Sequence, residues 1–420
     1  MKPSGIEWIG DIPDDWEVIK TKFLFNVYGG STPKVNVPEY WGDKITWITP
    51  GELGDDIKIV LNSKRMLSEK GLNSCGATLA PKGSIIISNR APIGQVCLAG
   101  RELCTNQGCK SLVAKIKLSC LFFYYFFKVQ SEVLNMLGNG TTFMELSASD
   151  LLNFKIPFPP LKTQQKIADY LDEKCGEIDA TIAKQKESIE KLKAYKQSLI
   201  SETVTKGLDK SAPLKPSGIE WIGDIPDDWE VRKLLSIFKE HKDRNKNLEE
   251  QNLLSLSYGK IKRKDINNND GLLPASFETY NIVENGDIVF RLTDLQNDKR
   301  SLRTGIVTQR GIITSAYVTI RPKIRLDSRF FHYLYHMYDI CKVFYGMGDG
   351  VRQGMGFEDL KNIPTLIPPL KTQQKIADYL DSKCSQIDKY ITEKQNIIQK
   401  LDAYKKSLIF ECVTGKHYFI

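Results

Sequence analysis

The sequence predicts an α/β (α+β) protein: two mixed α/β domains joined by two long antiparallel coiled-coil helices, arranged as a pseudo-two-fold internal repeat. Three observations lead there. The segment PPLKTQQKIADYLD at 159–172 returns letter for letter at 368–381, each time opening a long amphipathic stretch. A second segment, KPSGIEWIGDIPDDWEV, spans 2–18 and recurs at 215–231. Between these frames lie two inserts, 19–158 and 232–367, that do not match each other. A duplication without functional meaning would leave frames and inserts about equally alike. Identical frames are expected where both halves present one surface to one kind of partner, and divergent inserts where each half reads something different.

Each segment can be justified in chain order. The leader holds Trp8 and Trp16 around Pro13, and its second copy holds Trp221 and Trp229 around Pro226. Two tryptophans about a Gly-Asp-Ile-Pro turn read as a hydrophobic clasp that packs the start of each domain against itself. In the first insert 45–50, 83–88 and 111–117 read as short strands bounded by Gly and Pro. In the second, 252–258, 286–292 and 316–322 read likewise. Both inserts then turn helical, over 121–137 and 329–345. Each helical stretch ends in a glycine-punctuated loop, GNGTTF at 138 and GDGVRQGMGF at 348. Such loops suit a ligand backbone, and a helix C-cap explains the glycines equally well.

The long helices follow a stricter rule. After Pro159-Pro160, Thr163 is the expected N-cap. Apolar residues then fall at steps of four and three: Leu171, Cys175, Ile178, Ile182, Ile189, Leu192 and Leu199, answered by Leu380, Cys384, Ile387, Ile391, Ile398, Leu401 and Leu408. Gln185 and Lys394 interrupt the stripe at one shared position, as do Lys196 and Lys405 at another, and such interruptions favour a defined register. At ~1.5 Å per residue each helix would be about 60 Å long. Antiparallel pairing would place the leader of each half near the exit of the other and make the helices a ruler between the inserts.

The division expected is therefore a first domain at 1–158 with leader 2–18, a spacer helix at 159–207, a linker, leader 215–231 and second domain at 208–367, and a second spacer helix at 368–416.

The bulk composition excludes several classes. With 420 residues, 41% hydrophobic and 26% charged, the chain has an ordinary globular composition and enough length for two cores. A formal net charge of +8 favours an acidic partner, DNA or RNA, without choosing between them. The start has no apolar core of signal-peptide length, and the longest apolar-aromatic run, 121–127, is far too short to span a bilayer. A cytoplasmic protein with no membrane partner is expected. Nine cysteines without a CxxC pair argue for reduced thiols, with Cys104 and Cys109 as small buried hydrophobes. His332 and His336 stand four apart on a helix, yet no carboxylate or cysteine of metal-site spacing accompanies them, so no metal site is expected.

Catalytic motifs are missing. There is no GxxxxGK[ST] phosphate loop, no GxGxxG after a strand and no GxSxG elbow. Lys20 follows Glu17 by three residues where a PD…(D/E)xK nuclease needs two. The PPL segments lack the Asn or Asp and the aromatic of a methyltransferase's (N/D)PP(Y/F) loop. No catalytic residue is expected in this chain.

The helix openings, the two GIEWIGDIPDDWEV leaders and the frame, insert and helix plan resemble the specificity subunit of type I restriction-modification systems. The resemblance covers essentially the whole chain. Looser support comes from APKGSIIISNRAPIG and TNQGCKSL in the first insert and from GDIVFRL, SAYVTIRP and GDGVRQ in the second. The family pattern usually has Glu before the Gln of the helix opening, where this chain has Thr163-Gln164-Gln165. The resemblance implies that the inserts are target recognition domains, each reading half of an asymmetric bipartite site in double-stranded DNA across an unread gap. It also implies that two modification subunits, adenine methyltransferases, dock on the frame. Restriction subunits that translocate and cut DNA would join them. S-adenosylmethionine, ATP and magnesium would then belong to the partners, with no cofactor in this chain.

A DNA reader needs phosphate contacts for position and base-edge contacts for specificity. Arg suits guanine and Asn or Gln suit adenine. The candidates in the first insert are Lys34, Asn89, Arg90, Asn106, Gln107, Thr141 and Thr142, and in the second Tyr258, Lys260, Arg291, Arg303, Ser315, Tyr317, Arg352 and Gln353. Two rivals stand beside this reading: a coiled-coil adaptor that binds two different proteins, and a self-contained restriction enzyme.

Overall fold

A computed structural model of the chain describes residues 1–54, 57–138, 144–265, 276–293, 295, 302–346 and 354–417. The chain divides into two compact units, Met1–Gln185 with Asn396–Ile420, and Lys186–Gln395. The sequence-based division set the long helices apart as segments of their own. Packing instead shares each helix between the units, because each core takes one half of each helix.

In the first unit the insert begins with a five-stranded sheet in the order Phe25–Gly29, Cys109–Ala114, Ile85–Ser88, Val96–Ala99 and Ile59–Val60. Neighbours are antiparallel except the last pair, which is parallel. A four-stranded sheet follows the order Leu103–Thr105, Ile45–Ile48, Met66–Leu67 and Trp41–Gly42. The isoleucine run of the central strand is buried throughout because both faces are covered. Ile85 and Ile87 enter the main core and Ile86 a smaller cluster on the other face, as the two-residue period of a strand requires. Over the main face lies the helix Cys120–Lys128, capped by the Ser119 hydroxyl accepting from Phe122 N–H, with Phe122 through Phe127 all buried.

The single helix expected at 121–137 is two, Cys120–Lys128 and Ser131–Met136, separated at Val129 and Gln130, whose backbones leave the helical region. In the second unit the expected 329–345 helix runs Ser328–Ile340 and gives way to a short 3-10 turn, Val343–Gly346. Lys342 between them has φ 61°, a left-handed conformation that no continuous α-helix passes through.

The second unit carries a four-stranded antiparallel sheet in the order Phe238–Glu240, Val318–Pro322, Ile288–Phe290 and Thr304–Ile306. This is the order of the first four strands of the other insert's main sheet. The inserts share a scaffold although their sequences do not match. Two ribbons, Leu254–Ser257 with Lys260–Arg263 and Asn281–Val283 with Gly311–Ile313, accompany the sheet in the second insert.

The long helices span Leu161–Lys206 and Leu370–Val413, 46 and 44 residues. Of the stripe positions, Leu171, Ile178, Ile182, Ile189, Leu380, Ile387 and Leu408 are buried, and Leu192, Leu199, Ile391, Ile398 and Leu401 are half-buried. In the first unit Leu171, Ile178 and Ile182 share a core with Leu408, Ile409 and Val413; in the second Ile200 and Val204 share one with Leu380 and Cys384. Pairing is antiparallel. The lysines that interrupt the stripe explain themselves: Lys405 Nζ holds both Asp179 oxygens at 2.5 and 2.6 Å, and Lys196 Nζ holds both Asp388 oxygens at 2.7 and 2.8 Å. Asp388 and Lys405 are the second-repeat equivalents of Asp179 and Lys196, so one ion pair is made twice.

Thr163 is not the N-cap. Each long helix starts directly after its proline pair, where Pro160 C=O accepts from Thr163 and Gln164 N–H and Pro369 C=O accepts from Thr372 and Gln373 N–H. The glutamine that follows the threonine has a structural task that the sequence does not reveal. Fully buried Gln164 donates Nε2–H to Pro159 C=O at 2.8 Å and accepts Ser119 N–H on Oε1 at 2.9 Å. Gln373 does the same to Pro368 C=O at 2.8 Å and Asp327 N–H at 3.0 Å. Ser119 and Asp327 are the caps of the two insert helices, so each glutamine ties frame to insert.

The leaders are clasps as expected. Trp8 stacks on Phe154 at 6.0 Å, and buried Trp16 meets the edge of Phe122 at 6.2 Å. Trp229 and Trp221 meet Phe330 and Tyr338 edge-on at 6.0 and 6.3 Å. Residues 17–20 pair with the insert's own exit strand Lys155–Phe158, and Lys416 Nζ at the end of the second long helix donates to Ile9 C=O in the first leader.

Candidate nucleic-acid interface

Both inserts bring several of the sequence-predicted residues to the same end of the same sheet. In the first, Asn89 and Arg90 follow the central strand Ile85–Ser88, and Asn106 and Gln107 precede its neighbour Cys109–Ala114, the two ends joined by Asn89 N–H donating to Gly108 C=O at 2.9 Å. In the second, Arg291 follows the central strand Ile288–Phe290, Arg303 precedes Thr304–Ile306, and Ser315 and Tyr317 precede Val318–Pro322. Pairing of Phe290 with both Val318 and Thr304 places these three ends side by side.

Within the first unit the end is built from nested hydrogen bonds. Asn89 is fully buried and donates Nδ2–H to Glu145 Oε1 at 2.8 Å; the other carboxylate oxygen accepts from Arg90 at 3.0 to 3.1 Å. Asn89 thus faces inward, bracing Glu145, which in turn fixes the half-exposed Arg90 guanidinium. Asn106 closes an Asx turn by accepting Gly108 N–H at 2.9 Å, and exposed Gln107 accepts from the Thr32 hydroxyl at 2.6 Å. The approach of this turn to the 30–37 loop needs a glycine, since a Cβ at Gly30 would lie 2.0 Å from Asn106 O and 2.3 Å from Thr105 O. Lys34 is exposed on that loop. Thr141 and Thr142 lie outside the described residues, as do Arg352 and Gln353.

In the second unit the candidate Arg303 is placed inside the fold. It is wholly enclosed, and its guanidinium donates to Arg291 C=O at 3.1 Å, Thr293 C=O at 2.8 Å and the Tyr345 hydroxyl at 3.1 Å, while its own N–H goes to Asp339 at 2.7 Å. It braces the loop that carries half-buried Arg291. A long polar side chain in a loop is compatible with either task until its burial is known. Ser315 is exposed in the 315–316 turn, and Tyr317 packs partly against the cluster of Leu254, Val283, Val289, Val307 and Ile313.

Tyr258 and Lys260 stand at the turn of the Leu254–Arg263 ribbon, where Tyr258 is 75% exposed. Lys260 Nζ approaches Asp388 at 3.7 Å, a carboxylate already held by Lys196. Beneath the turn lies a cavity of about 580 Å³ whose lining includes Lys196, Tyr258, Lys260, His332, His336 and Asp388. Burial lowers the His332 imidazole to about 3 and the His336 imidazole to about 4, with the His336 and Lys196 charges adding to the respective effects. Both are neutral at pH 7. Among the described residues no group of three His, Cys, Asp or Glu side chains is placed to hold a metal ion, and no described helix is long and apolar enough to cross a membrane. Sequence reasoning passed over Lys262 and Arg263, exposed on the same ribbon; the signal available was the KIKRK run at 260–264.

The model of the "Type I restriction modification DNA specificity domain" matches residues 13–193 and again 226–403, one match for each frame and insert. The chain belongs to this specificity-domain family. Along its length it is 28% identical over 429 aligned residues to the type I restriction enzyme MjaIX specificity subunit of Methanocaldococcus jannaschii, covering 97% of this chain and 95% of that protein. Solved structures of the specificity family share the fold. A chain from a study of complex assembly and conformational transition of the type I R-M system superposes with a TM-score of 0.72 at 14% identity, covering 97% of this chain and all of that one. The HsdS subunit from Thermoanaerobacter tengcongensis gives 0.53, also at 14% identity, over 97% and 98% of the two chains. The protein is a type I restriction-modification specificity subunit by family, and the paired sheet ends lie in the inserts, where the two copies of the family domain differ.

Proposed function

We propose that each insert reads one half of an asymmetric bipartite site in double-stranded DNA. The observation that carries this reading is that one scaffold, kept in strand order, presents different side chains at the same sheet end in its two copies: Arg90, Asn106 and Gln107 in one, Arg291, Ser315 and Tyr317 in the other. Side chains of these types, set in loops at the ends of a rigid sheet, suit base-edge contacts in the major groove. The long helices set the unread gap, and the repeated frame docks two modification subunits, to which restriction subunits add. The chain itself performs no chemistry: S-adenosylmethionine, ATP and magnesium sit on the partners, and the assembly works in the cytoplasm.

The test is the methylation left on a plasmid when the chain is co-expressed with its modification subunit, read by single-molecule sequencing. One bipartite motif with an unread gap supports the reading; no new methylation from a verified complex refutes it.

A further inference from the structure

The ribbon Leu254–Ser257 and Lys260–Arg263 has two unlike faces. In its register Leu254 lies opposite Arg263 and Leu256 opposite Ile261, while Ser255 lies opposite Lys262 and Ser257 opposite Lys260. Leu254 and Ile261 belong to the cluster with Val283, Val289, Val307 and Ile313, and Leu256 is likewise buried. The strand beneath has Gly305 where a Cβ would meet Leu256 at 2.6 Å. The other face carries only two small hydroxyls and two ammonium groups. Residues 252–264 contain four cations and no carboxylate.

Several arginines of the unit are neutralised by carboxylates. Arg310 is held by Glu250 and Glu284, Arg321 by Asp287, and Arg329 by Asp327, Asp378 and Asp381. Among the described residues Lys262, Arg263 and Lys264 of the ribbon have no carboxylate partner. Lys260 shares Asp388 with Lys196, two cations on one anion, so that cluster keeps a positive charge. At the turn, Tyr258 and Gly259 have φ 47° and 76°. This is the hairpin turn that favours Asn-Gly; a tyrosine there is held in an unfavoured conformation with its ring in solvent, which does nothing for folding.

We propose that this ribbon is a groove-reading element of the second half-site. A two-stranded ribbon fits the major groove of duplex DNA. Tyr258 at its tip contacts base edges and determines specificity, Lys260 and Lys262 bind the flanking phosphates, and Ser255 and Ser257 are small enough to let the backbone approach. The inference rests on the DNA-reading function proposed above and names residues for it.

The experiment uses the complex of this chain with its modification subunits and duplexes carrying the site that methylation mapping defines. Tyr258→Ala is expected to weaken cognate binding about 10- to 100-fold, leave non-cognate binding unchanged and relax the methylated motif in one half only. Tyr258→Asn, which suits the left-handed turn, is expected to do the same with the ribbon intact. Lys262→Ala is expected to weaken cognate and non-cognate duplexes alike and to flatten the slope of log affinity against log salt by about 0.9. Unchanged preference in both Tyr258 variants, or an unchanged salt slope for Lys262→Ala, overturns the inference while the wild-type complex still reads its site. A wild-type complex with no site preference overturns the DNA-reading function and the ribbon with it.

Discussion

Truncating Gln373 to alanine tests whether the frame holds the second insert through one side chain. Gln373 is 3% exposed and makes two hydrogen bonds, to Pro368 C=O and from Asp327 N–H. Alanine removes both, leaving a carbonyl and an N–H in a dry site without room for a full solvation shell. An orphaned buried polar group costs roughly 1 to 3 kcal/mol, so the pair should cost about 2 to 4 kcal/mol after partial relaxation. For a cooperative unit of about 200 residues, 1 kcal/mol shifts Tm by roughly 2 to 4 °C, giving a drop of about 4 to 16 °C. Differential scanning calorimetry of Gln373→Ala and of Gln164→Ala, its first-unit equivalent, checks this. Each should lower one transition, and hydrogen exchange should locate the lost protection at the start of Ser328–Ile340 in one and Cys120–Lys128 in the other. A shift under about 2 °C with unchanged protection at those helices would refute the idea that these bonds tie frame to insert.

Other perturbations have expected outcomes. Exchanging the charges of the half-exposed pair, Asp179→Lys with Lys405→Asp, should recover most of the stability lost in either single variant, each single loss being about 1 kcal/mol in chemical denaturation. His332 and His336 have folded values below their unfolded ones, so the unfolded chain takes up protons first as pH falls. Their contribution is full above about pH 6.5 and is lost below it, toward about 4 and 3. The unfolding free energy from urea titration should therefore fall between pH 7 and 5, by roughly 2 kcal/mol per imidazole, and His336→Phe should reduce that dependence. Gly30→Ala forces a Cβ onto Asn106 O and should degrade the first half of the methylated motif and spare the second, as read by single-molecule sequencing.

The architecture was legible because it rests on periodicity and repetition. Every stripe residue from Leu171 to Leu408 is buried or half-buried, since a register set by four-and-three spacing survives whatever surrounds it. The strands around Ile85, Ile288 and Val318 were legible for the same reason, being β-branched runs between turn residues. Two helix breaks escaped. Nothing in the local pattern at Gln130 or Lys342 demands a change of direction, although both backbones leave the helical region there. Polar residues near a sheet end could be named but not sorted: Asn89 and Arg303 look in sequence like Arg90 and Arg291, and only burial separates a brace from a presented group. The buried glutamines were the opposite case, plainly marked by identity in both repeats and silent about purpose until their partners were seen.

Those glutamines accept their hydrogen bonds from the insert at backbone N–H groups. Gln164 receives the N–H of a serine and Gln373 that of an aspartate, two different residues that share a peptide N–H and a side chain able to cap the helix that follows. A main-chain joint of this kind asks nothing of the cassette it holds beyond a helix starting in the right place. Inserts of unlike sequence therefore hang on one frame by the same plug, a buried amide that meets the first peptide of the insert helix.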